Sequence, residues 1–343
     1  MRNYCTLLDS KYLDRLLALY NSLKKHSSVK FTLYVLCMDD TSLTVLQNHC
    51  HAENLILVPL NAIESKRLLS IKKLRTSAEY CWTCTPLIIR YVFEEFDVDN
   101  CTYIDADIYF FSDPEILFSK KSDTILVEHR LPSTPKFKEI EKNNGIYCVE
   151  FNYFNNSINS QNMLNYWSDA CLNWCYARSE DGKYGDQKYL EYFERNFDNV
   201  NITSNIGAGV APWNLRDYKL IKYDGDRILL DYQGKKNNLV FYHFSGIKFI
   251  TKNKVNIGTS CKDKILKNLI YLPYLKELVM YRKMLYSNYK IKFDIKISYS
   301  NNILRKIYQR YIHPIRIKCL SDVIDLKKLE KEAEIYESSC NRR

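Results

Sequence analysis

"TYIDADIYFFSDP", Thr102 to Pro114, sets two aspartates at the end of an apolar stretch. Asp105 and Asp107 are two apart, so on an extended backbone their side chains point the same way. Ala106 between them is small. The pair then converges on one point just beyond a strand. In open α/β sheets that is where ligands bind, and two carboxylates aimed at one point suit a hard divalent cation. A strand end that turns outward and leaves both acids in water explains the tripeptide as well. The rest of the chain has to decide.

Upstream of this stretch, strand-like and helical patterns alternate. "YCTLL" (Tyr4–Leu8) reads as a strand. Leu13–His26 places Leu13, Leu16, Leu17, Tyr20 and Leu23 on one helical face. "FTLYVLCM" (Phe31–Met38) is apolar enough for a central parallel strand. Asp39, Asp40, Thr41 and Ser42 offer N-cap chemistry for a helix ending near His51. "NLILVPL" is a third strand closed by Pro59, Ser77–Phe96 is a long helix, and "CTYIDAD" is the fourth strand. Such alternation predicts an α/β fold with a parallel sheet covered by helices on both faces. It puts Asp105 and Asp107 at a strand's carboxyl end.

Composition sets the bounds. At 343 residues and 46% hydrophobic content, the chain can build one large domain with an appendage, or two domains. No apolar run reaches membrane-spanning length, and "MRNYCTLLDS" enters the first strand without the pattern of a signal peptide. The twelve cysteines follow no framework spacing, and the single CxxC of Cys81 and Cys84 has no second pair at zinc spacing, so reduced, mostly buried thiols are expected. The net charge of +10 is unevenly placed. Residues 251–343 hold 21 Lys/Arg against 9 Asp/Glu, whereas residues 1–250 hold 29 against 31. That shift marks a boundary near Thr251, between an α/β domain over 1–250 and a basic, mainly helical region over 251–343.

Four motifs, in order, resemble the GT-A fold nucleotide-sugar glycosyltransferases, close to glycosyltransferase family 8, the glycogenin and bacterial lipopolysaccharide galactosyltransferase group. They are the first strand and helix "YCTLLDSKYLDRLLALYNSLKKH", the DXD motif Asp105-Ala106-Asp107, the Asp186-Gln187 pair in "YGDQKYL", and His243 with Gly246 in "FYHFSG". The resemblance covers about Met1–Lys248. It implies a Rossmann-like nucleotide-diphospho-sugar transferase domain, a UDP-sugar donor, and a divalent metal, Mn²⁺ or Mg²⁺, on Asp105, Asp107 and His243. Gly246 would let the backbone approach the donor phosphate, as a residue without a Cβ can, and Lys248 would contact the pyrophosphate. Thr6 and Tyr12 fall where the family holds the base and ribose, Tyr12 by stacking. Arg90 lies where the family places a basic residue facing the donor. Asp186 would bind donor sugar hydroxyls and Gln187 would lie near the anomeric carbon. Family 8 enzymes retain configuration, and a front-face mechanism follows, in which the departing phosphate helps deprotonate the acceptor.

Each residue also has a plainer reading: an N-cap for Asp186, a satisfied strand histidine for His243, a packing tyrosine among 28 for Tyr12, a solvated face for Arg90. Two departures from the family stand out. Its Asn-Ala-Gly sugar-binding turn has no clean counterpart: Asn144-Gly145 fits poorly, and a shifted register puts Cys148 and Glu150 at the Asn and Gly positions. The loop "GAGVAPWN" (Gly207–Asn214) carries Trp213, which can stack on a sugar or pack in a core.

Two rivals remain. A haloacid dehalogenase-like phosphatase also ends an apolar strand in Asp-x-Asp, but it wants Thr or Val where Tyr109 stands and a later Gly-Asp-x-x-x-Asp where Leu190 closes "GDQKYL". A non-catalytic carbohydrate-binding protein needs neither the acidic pair nor a nucleotide-sized parallel sheet. The acceptor expected by analogy is a surface polysaccharide, lipopolysaccharide or other lipid-linked oligosaccharide, with no nucleic acid among the partners. "NNILRKIYQRYIHP" (Asn301–Pro314) aligns Ile303, Leu304, Ile307, Tyr308 and Tyr311 on one helical face among basic residues. Docking on an anionic membrane, at the inner face of the cytoplasmic membrane, is therefore expected of the C-terminal region.

Overall fold

Seven strands form the central sheet, in the order β3–β2–β1–β4–β7–β6–β8. They are β1 (Arg2–Leu8), β2 (Phe31–Cys37), β3 (Leu55–Pro59), β4 (Asn100–Ile104), β6 (Thr124–Glu128), β7 (Tyr147–Asn155) and β8 (Val200–Ile202). In this computed structural model the described residues are 1–118, 122–225, 227–251, 254–259, 261–293 and 323–326. β1 pairs in parallel with β2 and with β4, setting Tyr4 opposite Leu33 on one side and Thr102 on the other. β2 is buried along its whole length. Its unbroken apolar run is what a strand covered on both faces requires.

The two faces follow the period of two along β1. Cys5 and Leu7 join one core with Ile88, Ile89 and Val92 of α4 (Ser77–Glu95) and Trp167 of α6 (Ile158–Asn173). Tyr4 and Leu8 join the other, with α1 (Leu13–His26) and α2 (Asp40–His49). α1 buries Leu13, Leu16, Leu17, Leu19 and Leu23, each contributing roughly 2 kcal/mol of apolar burial. Asp39 caps α2 by accepting from the Ser42 N–H. Thr76 and Glu79 form a capping box at the start of α4, which fixes the turn that will face the ligand end.

The sheet is not wholly parallel. β7 runs against both β4 and β6. The reason lies in the connection: α5 (Pro135–Asn144) follows β6 at the ligand end instead of crossing a sheet face, so β7 starts at that end. This brings residues 147–150 beside the acidic pair, and the Asp105 N–H donates to the Glu150 carbonyl at 3.0 Å.

Smaller sheets complete the ligand end. β5 (Ile108–Phe110) pairs antiparallel with β12 (Phe241–His243), in a register that sets His243 opposite Ile108. β9 (Lys219–Tyr223), β10 (Ile228–Tyr232) and β11 (Lys235–Asn238) form an antiparallel meander. β13 (Lys248–Thr251), β14 (Lys254–Asn256) and β15 (Val323–Asp325) form another. α7 (Glu191–Asn196) and α3 (Lys66–Lys72) are short surface helices.

The charge shift near Thr251 does not coincide with a break in packing. α8 (Lys264–Tyr289) buries Leu266, Ile270, Tyr271, Tyr274, Leu275, Leu278 and Leu285, in cores that also contain Ala18 and Leu13 of α1. Arg282 Nε donates to Asp14 Oδ2 at 2.6 Å, tying α8 to α1. The segment Asn301–Pro314 lies outside the described residues. Among the described residues no helix is long and apolar enough to cross a membrane. The ten cysteines among them are all free.

Candidate metal and donor site

Asp105 and Asp107 lie just beyond β4, not on the strand expected over Cys101–Asp107. β4 stops at Ile104, and the Ile108 N–H donates to the Asp105 carbonyl at 3.1 Å, closing a turn that carries both acids. They converge through this turn, not through strand alternation. Pairing of β5 with β12 delivers His243 to the same point, where the Phe244 N–H donates to the Asp107 carbonyl at 2.8 Å. His243 Nε2 is 3.1 Å from Asp107 Oδ1 and 3.5 Å from Asp105 Oδ2. One ligand atom from each of the three residues fits within a 4.8 Å spread. Tyr103 Oη donates to Asp105 Oδ1 at 3.0 Å and holds that carboxylate in place.

Burial and charge act oppositely on the two acids. Burial is the largest effect on each. For Asp105 burial wins, pushing the carboxyl up to about 6 against the pull of His243. For Asp107 it loses, because His243 by charge and hydrogen bond, with Arg15 behind, holds the carboxyl below its usual range. On the other side of the imidazole, Nδ1 donates to Glu150 Oε2 at 2.6 Å, and Glu150 is fully buried.

Tyr103, Asp105, Asp107 and His243 line a cleft of about 680 Å³. Asp186 and Gln187 line it too, as do Tyr12, Trp82, Thr85, His129, Cys148, Tyr184 and Trp213. Asp186 is not a side-chain N-cap: its backbone is helical and its carboxylate makes no cap bond. Burial, and next the charge of Asp105, push it up to about 7. Trp167 Nε1 donates to the Asp186 carbonyl at 2.8 Å and anchors the loop from below. The chain after Asp186 is a 3-10 turn over Gln187–Leu190 running into α7. Gln187 Nε2 donates to the Asn144 carbonyl at 2.7 Å. Glu79, the capping residue of α4, also accepts from the Ala177 N–H at 2.8 Å, joining α4 to the segment leading to Asp186.

At the other end, Tyr12 is 40% exposed and its ring rests on Arg15, whose guanidinium is 4.3 Å from the ring centroid. Gly246 has φ +76°, with nothing near the position a Cβ would take; its glycine is required by backbone conformation alone. Gly246 is exposed and, unlike Ser245 beside it, is not among the residues lining the cleft. Three further expected donor contacts lie elsewhere. Thr6 is fully buried within β1 and is not among the residues lining the cleft. Arg90 faces away, bonded to Glu94 one turn on at 2.9 Å, because i,i+4 partners share a helix face. Lys248 is an exposed residue of β13, outside the cleft.

Glu150 was legible only as a misfit at a glycine position of the resembling family. Trp82, Thr85 and Tyr103 gave no signal, since nothing in a helix or strand pattern tells which face meets a ligand. Trp213 does reach the cleft, and its Nε1 donates to the His129 carbonyl at 2.8 Å.

No family model matches the chain. The crystal structure of the galactosyltransferase LgtC in complex with donor and acceptor sugar analogs aligns with a TM-score of 0.52, covering 80% of this chain and 95% of that one at 11% identity. At that identity the likeness is one of fold: the chain has the GT-A glycosyltransferase fold, in a form similar to family 8. Two uncharacterized proteins of Bacillus subtilis (strain 168) are closer in sequence. YfnD is 31% identical over 283 residues, 80% of this chain and 88% of its own length. YfnF is 31% identical over 259 residues, 74% of this chain and 84% of its own. The chain belongs to the family of YfnD and YfnF.

Proposed function

We propose that this protein is a metal-dependent glycosyltransferase that moves a sugar from a UDP-linked donor to a glycan acceptor with retention of configuration. The observation that carries the reading is the convergence of Asp105, Asp107 and His243 in the cleft. Two carboxylates and an imidazole nitrogen form a mixed oxygen and nitrogen donor set, which fits Mn²⁺ at least as well as Mg²⁺. A divalent ion there supplies charge neutralisation for a leaving diphosphate.

The chain's own residues divide the remaining work. Tyr12 stacks on the base, and the Gly246 turn lets backbone N–H groups meet phosphate. Asp186 accepts from donor sugar hydroxyls. Gln187 stands beside the anomeric carbon, oriented by its bond to Asn144. Neither rival class predicts a ligand response that needs nucleotide and metal together. Adding UDP with Mn²⁺ should raise the melting temperature more than either alone. A shift with UDP alone, unchanged by EDTA, would refute the metal-dependent reading. Released diphosphate measured over a panel of nucleotide sugars would then name the donor.

The basic excess of 16 Lys/Arg over 3 Asp/Glu in residues 251–318 supports a second part of the proposal, docking on an anionic membrane that presents a lipid-linked acceptor. The packing of α8 on α1 decides how to test it. A chain ending after Phe293 keeps that helix and removes 6 of those 16 basic residues, among them the three of Asn301–Pro314. It should lose cosedimentation with anionic vesicles that the full chain shows. Binding indifferent to lipid charge and salt would count against docking.

A further inference from the structure

We infer that Glu150 is a positioning residue for His243, a buried carboxylate that fixes the imidazole so that Nε2 faces Asp105 and Asp107; the inference rests on the metal reading above. A carboxylate can only accept, so the 2.6 Å contact requires His243 Nδ1 to carry a proton. Without a cation Nε2 carries one too and donates to Asp107 at 3.1 Å, and a cation at the acidic pair would replace that proton and take the Nε2 lone pair. A carboxylate behind a metal-binding histidine both sets the ring and raises its basicity.

The surroundings hold Glu150 to this one task. It is 0% exposed, and its other oxygen, Oε1, has no hydrogen-bond partner. Gly209 packs against it: a Cβ there would lie 2.5 Å from Val127 Cγ1, 2.9 Å from Arg130 Nη2 and 3.0 Å from Glu150 Oε1. A side chain at Gly209 would therefore collide with this carboxylate and its neighbours, so the glycine keeps the space that Glu150 occupies. Cys148, Glu150 and His243 also cluster closely enough to hold an ion. That alternative uses the Nδ1 side of the ring, where Glu150 is fully buried and outside the cleft lining, whereas the Nε2 side, with Asp105 and Asp107, opens on the cleft where a diphosphate can reach.

The test is direct Mn²⁺ binding to the full chain, read by electron paramagnetic resonance without donor. Glu150→Gln keeps an acceptor but removes the charge, and should weaken Mn²⁺ binding about 10-fold; Glu150→Ala removes both, and should approach 100-fold. Asp107→Asn is the control for the metal reading. If it loses Mn²⁺ while Glu150→Gln binds normally, the Glu150 inference alone is overturned. If Asp107→Asn binds normally, the metal reading falls and takes the inference with it. A loss in Cys148→Ala as large as in Asp107→Asn would place the ion on the other side of the ring and overturn the inference too. Should the Glu150 variants fail to fold, the unsubstituted protein still decides. Nitrogen-15 NMR of His243 with Zn²⁺ should show Nδ1 protonated and Nε2 shifted by metal, and the reverse tautomer would overturn the assignment.

Discussion

At the acidic end of the cleft, the Asp107 and His243 side chains are 12% and 8% exposed and lie 3.1 Å apart, whereas at the aromatic end Tyr12 is 40% exposed and is held by an arginine beneath it. The acidic end is built by backbone pairing: a turn after β4, the β5–β12 register, and the Asp105–Glu150 hydrogen bond. The aromatic end is built by side chains. Arg15 links Tyr12 to the Ile247 carbonyl at 3.4 Å, and Asp14 links Arg15 to Arg282 of α8. A site fixed by backbone pairing suits charge that must be met in one geometry, and one fixed by side-chain packing suits a base that slides in and out. Substitutions at the two ends should therefore differ in kind: loss of turnover at the acidic end, loss of donor affinity at the aromatic end.

The largest effect is expected at Asp107. Asp107→Asn keeps shape and removes one ligand charge, so it should cut turnover by roughly a thousandfold or more, as the loss of several kcal/mol of metal-derived stabilisation implies. The fold should stay intact, with the melting temperature without metal somewhat lowered, because the pair with His243 that holds the Asp107 carboxyl below its usual range is lost. EDTA on the unsubstituted protein should reproduce the loss. Normal turnover in the variant, or in excess chelator, would erase the contrast between the ends.

Gln187 sharpens it further, since this residue belongs to the chemistry and not to the grip. Gln187→Ala should lower kcat about a hundredfold and leave donor affinity within about twofold, as for a single positioned hydrogen-bonding group. Asp186→Ala should lower both. Near-normal kcat in the Gln187 variant would reduce that residue to its bond with Asn144.

Much of this was legible beforehand, and the reasons are physical. α1 begins and ends at the expected residues, Leu13 and His26, because its apolar spacing and the flanking polar residues agree. The acidic pair was visible because two charges after an apolar run are costly unless used. The antiparallel course of β7 was not visible, since the hydrophobic pattern of a buried strand carries no direction. Arg90 misled for a related reason: a helix position named by family analogy says nothing about the face, and here it pairs with Glu94. Glu150 showed only as a mismatch until the fold put it behind His243.

A smaller effect is expected at Tyr12. Stacking of a base on an aromatic ring is worth about 1–3 kcal/mol, so Tyr12→Ala should raise the donor KM about tenfold with kcat little changed. Tyr12→Phe, which keeps the ring, should behave nearly as the parent. A kcat loss without a KM change would show that the aromatic end also belongs to the chemistry.

The smallest effect, and the one that tests whether the aromatic end is really held from below, concerns Arg15. Arg15→Met fills similar space under the Tyr12 ring but removes the cation. Asp14, fully buried, keeps its 2.6 Å bond to Arg282 and is not stranded. What is lost at the ring is the cation–π contact and the tether to Ile247, together on the order of 1 kcal/mol, or about three- to fivefold in donor KM; the 3.4 Å pair with Asp14 and the charge that acts on Asp107 go as well. The decisive measurement is a double-mutant cycle: in a Tyr12→Ala background the Arg15→Met change should have almost no further effect on donor affinity, because the ring it supports is gone. Additive losses would mean that Arg15 meets the donor on its own account, through the same charge that already acts on Asp107, and not only by holding the Tyr12 ring.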